Sequence, residues 1–285
     1  MKITFDCIPC IVSHIVHIAK MVTDDDAKRH HIITRTLAEA LGTNLAITPP
    51  EQARLFHKII QEITGISDLY IDEKDRSTEF ALELLPFLRD ELKHHRDYFE
   101  SVVRLVIGGN IIDYGADRYF DINTAKHRIM EVFDLPLDLS AIKLMKSAMD
   151  NAGKIFYIAD NCGEAVFDRL LIELYRDKIT LGVRGEPILN DITPREVAHS
   201  GLDFVPLMHT GDMTPGVSLQ HSSPEFIAEM KNSDLIISKG QGNFESLNDY
   251  DRPICFLFRV KCGVIADMVG VKGLGSLQII PQNIC

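Results

Sequence analysis

The feature that most constrains this chain is a series of short apolar runs in its second half. "KIFYIA" from Lys154, "KITLGVR" from Lys178, "DFVPLM" from Asp203, "DLIISK" from Asp234 and "ICFLF" from Ile254 are each rich in branched or aromatic residues. Helical patterns or turn residues separate them, at 163–176, 194–201, 224–232 and 261–269. Apolar strands interleaved with helices are buried on both faces, which predicts a mostly parallel, doubly wound sheet in an α/β fold.

The first ~95 residues read differently, as amphipathic helices. In "AKRHHIITRTLAEALG" the residues Ile32, Ile33, Leu37 and Leu41 recur at helical spacing, and Gly42 suits a helix end. "PEQARLFHKIIQEITG" repeats the design and ends at Gly65. "EKDRSTEFALELLPFLRDELK" continues it, with Pro86 expected to kink or split the helix. The division is therefore a helical region over residues 1–100 and an α/β region over 101–285, with the transition falling between 95 and 150. "VVRLVIGGNIIDYGADRYF" fits a buried strand or a buried helix equally.

With 285 residues, 46% of them hydrophobic, the chain can bury a sizeable core. Its net charge of -11 argues against nucleic acid as the main partner. The run "IPCIVSHIVHIAKMV" is too short and too polar to span a bilayer, and Pro9, His14, His17 and Lys20 interrupt it. The expectation is a buried amphipathic helix in a cytoplasmic protein with no membrane partner. Nothing in the pattern sets an oligomeric state.

In open α/β sheets, ligands gather at the carboxyl ends of the strands. The first run ends at Asp160-Asn161, and Gly163 opens a helix whose stripe is Val166, Phe167, Leu170, Leu171 and Leu174. Asp160 and Asn161 carry the oxygen donors that magnesium-like ions take, and the N–H groups near Gly163 and Glu164 suit a phosphate. Helix capping by Asp160 or Asn161 explains the same pair. Asn190-Asp191 stands near the next strand exit, where an Asx turn is the ordinary explanation. Two such pairs on consecutive connections are less ordinary, because in a parallel sheet both acids can reach one ion. "SKGQGNFES" resembles a dinucleotide fingerprint without its third glycine and reads as a loop that lets backbone approach a ligand. Lys261, after the last run, suits a phosphate as a point charge, with surface solvation as the bland alternative.

Cys7 and Cys10 form a C-x-x-C followed by His14 and His17. A shared zinc ion is disfavoured, since Cys10 to His17 spans ~10 Å along a helix. Idle thiols and a redox or metal pair both remain as readings. There is no G-x-x-x-x-G-K-[ST], G-x-S-x-G or H-E-x-x-H motif.

Taken in order, the C-x-x-C, "GGNIIDYG", "ADNCGE", "NDIT", "SKGQGNFE" and "RVKC" resemble the metal-dependent damage-control phosphatases, the family known as domain of unknown function 89. The C-x-x-C makes the chain similar to the small prokaryotic branch, and the resemblance runs along essentially its whole length. It implies a helical N-terminal region joined to a Rossmann-like α/β/α region. It implies a divalent metal ion (Mg, Mn, Co or Ni) held by Asp160, Asn161 and Asp191. It also implies that Asn110 and Asp113 face the same pocket and that Lys261 contacts phosphate. The partner would be a small phosphorylated metabolite, such as a sugar phosphate or a damaged phosphopantetheine-type compound.

The expected reaction is metal-assisted hydrolysis of a phosphate monoester, with Asp160 and Asp113 as candidate catalytic groups and either water or a carboxylate as nucleophile. The main rival is a methyltransferase using S-adenosylmethionine on a similar sheet, although "ADNCGE" offers a single glycine after the first strand. A third reading is a metal- or redox-sensing protein centred on the C-x-x-C.

Overall fold

Four of the five apolar runs of the second half become strands whose branched and aromatic side chains fill a core on both faces of the sheet, whereas "DFVPLM" is mostly turn and yields only a short, largely exposed edge strand at Leu207–His209. A computed structural model describes residues 1–42, 45–109 and 122–284. The strands are β1 (Ile155–Ile158), β2 (Ile179–Val183), β3 (Leu207–His209), β4 (Leu235–Lys239), β5 (Ile254–Arg259) and β6 (Leu277–Gln282). Their order is β3-β2-β1-β4-β5-β6, parallel except for β6, which pairs antiparallel with β5. This is the doubly wound order in which the direction of winding reverses between β1 and β4. β6 is not among the expected strands: its apolar alternation is brief, and Pro281 marks it as an edge strand.

The helices of the first half are α1 (Cys7–Val22), α2 (Asp26–Gly42), α3 (Pro49–Thr64), α4 (Ile71–Leu92), α5 (Tyr98–Gly108), α6 (Ile122–Met130) and α7 (Leu139–Asn151). Those among the strands are α8 (Cys162–Ile172), α9 (Pro194–Val197), α10 (Pro224–Asn232), α11 (Gln241–Leu247) and α12 (Gly263–Val269). α4 runs through Pro86 as one helix rather than splitting there. The ambiguous "VVRLVIG" is a helix, α5, capped by Asp97, whose carboxylate accepts from the Glu100 N–H at 3.0 Å. α11 occupies the stretch that reads as a loop, because Phe244 and Leu247 bury against the sheet.

Alternate residues along each strand point to opposite layers. Tyr157, Leu181, Ile237 and Leu257 face a core shared with α4, α5, α7 and α8. Phe156, Ile158, Ile236 and Phe256 face α10, α11 and α12. Gly163 lets α8 approach α4 closely, since a Cβ there would lie 2.9 Å from the Ser77 carbonyl oxygen. Ile18, Ile32, Ile60 and Tyr70 form a separate small core among the first helices. Among the described residues no helix is long and apolar enough to cross a membrane.

Beside that small core, His14 of α1 meets His57 of α3, Nε2 to Nε2 at 3.4 Å, and His57 stacks on Tyr70. Burial first, then the neighbouring imidazole, lowers His57 to about 3; burial and His17 lower His14 to about 4. Both fold neutral, so an unfolded chain takes up more protons below the free imidazole value of about 6.5, and stability is lost from there down through the folded values. His57→Phe is therefore expected to lose unfolding free energy less steeply than the parent between pH 7 and 4, as read by urea titrations. An unchanged slope would contradict a neutral buried pair.

Candidate active site

The reversal of strand order opens a crevice beyond the ends of β1 and β4, and the chain fills its rim with polar residues. β1 leads through Ala159 to Asp160 and Asn161. β2 leads to Arg184 and a loop that folds back, so that Asn161 and Asp191 form an antiparallel bridge. The Ile192 N–H donates to the Asp160 carbonyl at 2.9 Å, and the Cys162 N–H donates to that of Asn190 at 2.9 Å. Inside that loop Leu189 takes a left-handed φ of 46°, rare for a branched residue and confined to places where surroundings enforce it. The acids of the two expected pairs thus stand side by side on one rim.

Capping does not account for the first pair. Asn161 occupies the N-cap position of α8, yet its side chain makes no capping bond. Its amide donates instead to Asp160 Oδ2 at 3.3 Å and to Glu164 Oε2 at 3.4 Å. The Asp160 and Asp191 carboxyls are both buried. Burial, then the charges of Asp191 and Glu164, raises Asp160 above the usual carboxylate range. Burial also raises Asp191, although Arg184 works against it.

Arg184 lies beneath this pair, fully buried. Its Nε donates to Asp191 Oδ2 at 2.7 Å and its Nη2 to Asn243 Oδ1 at 3.0 Å, while Asp160 Oδ1 is 4.0 Å away. Deeper still, Lys239 donates to Asp168 Oδ1 at 2.6 Å, to the Val106 carbonyl at 2.7 Å, and to Glu164. Burial would lower this ammonium, but Asp168 and Glu164 outweigh it and raise it. Two buried cations thus anchor the acids that carry the rim. Spacing alone singles out neither. The available signal is that each ends an apolar strand, where a charge has no other reason to be buried.

A cavity of about 370 Å³ opens in front of the rim. Asp160, Asn161, Asp191 and Lys261 line its polar end, with Gln241 and Glu245 of α11. Its apolar wall comes from the first helices and the β2 loop, including Ile11, Pro50, Phe56 and Leu189. The Lys261 N–H donates to Gln241 Oε1 at 2.8 Å, which ties the β5 exit to α11. Gly240 has φ 83°, and a Cβ there would overlap the Asp160 carboxylate, so that glycine lets β4 turn against the acid. Cys7 and Cys10 also line this cavity. Gly163 faces α4, and the Glu164 side chain joins the Lys239 cluster; neither lines the cavity. Asn110 and Asp113 lie outside the described residues.

Among the described residues, no group of three or more His, Cys, Asp or Glu side chains is placed to hold a metal ion. Asp160, Asn161 and Asp191 make a different kind of set, two carboxylates and an amide. That suits a hard cation which keeps most of its shell for water and phosphate. Two buried acids raised by burial also fit a place where added positive charge would be welcome.

The chain is similar to several known proteins. A model of the damage-control phosphatase ARMT1-like domain matches residues 3–276. The uncharacterised protein MJ0202 of Methanocaldococcus jannaschii is 32% identical, with 95% of this chain and 93% of that one covered. A damage-control phosphatase of Archaeoglobus fulgidus is 31% identical over 95% of this chain and 96% of its own. The crystal structure of PH1575, a DUF89 family protein of Pyrococcus horikoshii, is similar with a TM-score of 0.87 at 29% identity, covering 97% of this chain and 98% of that one.

Removing Arg184 would leave Asp191 buried without the guanidinium it accepts from. Breaking a buried pair from one side costs about 3–5 kcal/mol. Arg184→Met is expected to lose stability of that order in denaturant titrations at pH 7, with Arg184→Lys recovering part of it. A loss under about 1 kcal/mol, the level of a surface pair, would show that the guanidinium does not support the rim.

Proposed function

Since the chain belongs to the damage-control phosphatase ARMT1-like family, whose members act on small phosphorylated metabolites, we propose that it hydrolyses phosphate monoesters with the help of a divalent metal ion. The observation that carries this is the meeting of the buried Asp160 and Asp191 carboxyls, beside Asn161, at the polar end of one cavity. Asp160, Asn161 and Asp191 would hold the ion; magnesium, manganese, cobalt and nickel all accept such oxygen donors. When bound, it supplies positive charge for the phosphoryl oxygens and a more acidic water.

The chain's own residues do the rest. Lys261 offers a point charge to the phosphoryl group, and its backbone is held by Gln241. Arg184 and Asn243 keep the Asp191 side of the rim in place, and Gly240 sets how closely β4 approaches Asp160. Ile11, Pro50, Phe56 and Leu189 shelter the organic part of the ester from water. From the family pattern, Asn110 would contact the phosphate and Asp113 would act as the base, whereas Gly163 and Glu164, expected as phosphate contacts, lie off the cavity. The cytoplasm as its place of action also belongs to the proposal.

The methyltransferase reading has less support. Its glycine-rich turn would have to follow β1, and the single glycine there, Gly163, is packed against Ser77 of α4. Damaged metabolites, including sugar phosphates and phosphopantetheine-type compounds, are the substrates to screen.

Purified protein is expected to release inorganic phosphate from small phosphomonoesters when Mg, Mn, Co or Ni is supplied, and to stop on chelation. Asp160→Asn should lower the rate by about 10²-fold or more. Gly240→Ala, which pushes the same carboxylate aside, should cost a comparable factor of about 10² with the fold intact by circular dichroism. A rate indifferent to chelator would sink the metal-dependent reading.

A further inference from the structure

The wall of the cavity carries thiols that hydrolysis does not use. Cys7 and Cys10 lie in the first turn of α1, and Cys262 lies between β5 and α12; all three line the cavity and are free. Cys162 and Cys255 are buried, where thiols are inert. Among the described residues no trio of His, Cys, Asp or Glu is placed to hold a metal ion, and His14 is engaged with His57.

Backbone geometry favours a different chemistry. Both cysteines are helical and three residues apart, which places their Cα atoms about 5 Å from each other. That falls within the ~4.4–6.8 Å seen across disulfides, and closing the bond would draw the two Cβ atoms in from the ~5–6 Å of helical neighbours to ~3.5–4.5 Å, a local adjustment of the first turn. Pro9 lies between them, in the first helical turn, where an N–H has no intrahelical acceptor to lose. Cys10 has an exposed surface and Cys7 is half-buried. Partial cover of its thiol, then the neighbouring Cys262, Cys7 and Glu245, raises Cys10 above the ordinary thiol value, so its thiolate is scarce at neutral pH and disulfide exchange through it quickens as pH rises. Cys262 accepts at its sulfur from Gln241 Nε2 at 3.6 Å.

We propose that Cys7 and Cys10 are a redox-active dithiol that exchanges with low-molecular-weight disulfides such as oxidised glutathione. The Cys10 thiolate attacks one sulfur of the small disulfide, forming a mixed disulfide and releasing one small thiolate. Cys7 then attacks the Cys10 sulfur, closing the Cys7–Cys10 bond and releasing the second. Two electrons pass from the protein pair to the small disulfide, and the two thiol protons end on the released thiols. Closure draws the two sulfurs to about 2.05 Å and re-forms the stretch of cavity wall that they share with Cys262.

The full chain would be equilibrated with oxidised glutathione, trapped with N-ethylmaleimide and mapped by mass spectrometry. The expected product is a Cys7–Cys10 link, reversed by dithiothreitol, with Cys162, Cys255 and Cys262 left reduced. Cys7→Ser should instead stop at a glutathione adduct on Cys10. Oxidation should also change the alkylation rate of Cys262 by about threefold or more in the parent chain and not in the Cys7→Ser, Cys10→Ser double variant, which can take up neither link nor adduct there. Persistence of both thiols under excess oxidised glutathione, a Cys10–Cys262 link, or a Cys262 rate blind to oxidation would each overturn the proposal. None of these measurements needs turnover, so a failed phosphatase assay would leave the outcome readable.

Discussion

Two carboxyl groups that water would keep apart are buried together at the end of a parallel sheet, and most of the site follows from that constraint. Asp160 and Asp191 cannot both carry charge there without compensation, because desolvation penalises each and the charge of Asp191 adds to the penalty at Asp160. Arg184 supplies part of the compensation from below, at 2.7 Å from Asp191 but 4.0 Å from Asp160. The uneven distances matter: Asp191 is bound to the guanidinium, while Asp160 is left with the weaker donation of the Asn161 amide. A hard cation in front of the rim would complete what Arg184 begins.

The fold spends much of its buried polarity on holding this rim. Lys239 binds Glu164 and Asp168 of α8 together with the carbonyl of Val106 in α5, so one ammonium links the strand beside β1 to two helices of the covering layer. Glu164 in turn accepts from Asn161. A chain of contacts therefore runs from the interior to the cavity, and each buried charge in it has a partner. The first helices close the remaining side. α1 and α3, joined through the His14–His57 contact, present apolar side chains to a cavity whose polar end belongs to the sheet.

Much of this architecture is legible in the pattern of residues. Four of the five apolar runs are buried strands, the third gives only a short exposed edge strand, and the amphipathic segments before them are helices, because burial imposes the period on which that reading relies. What the pattern misses has a physical cause in each case. α11 is hidden by Gly240 and Gly242, which are poor helix formers but sit where a larger residue would overlap Asp160 or Pro215. β6 is hidden by Pro281, acceptable only because an edge strand leaves one side unpaired. Pro86 reads as a break, yet α4 continues through it, held by a face that packs on α8.

At the site the division is sharper. Asp160, Asn161 and Asp191 are candidates in the sequence, since strand exits in a parallel sheet share one edge, although capping and an Asx turn explain the same pairs until the tertiary structure is seen. Their neighbours Arg184, Lys239 and Asn243 do not, because buried polar contacts leave no periodic trace: Arg184 is 7 residues from Asp191 and 59 from Asn243, and Lys239 is 71 from Asp168. Sequence determined which side chains reach the edge, through the two-residue period of strands and the short turns that follow them. Tertiary structure alone decided which strands are neighbours, which charges meet beneath the rim and which thiols share its cavity, because those outcomes depend on the order in which β1 and β4 pair.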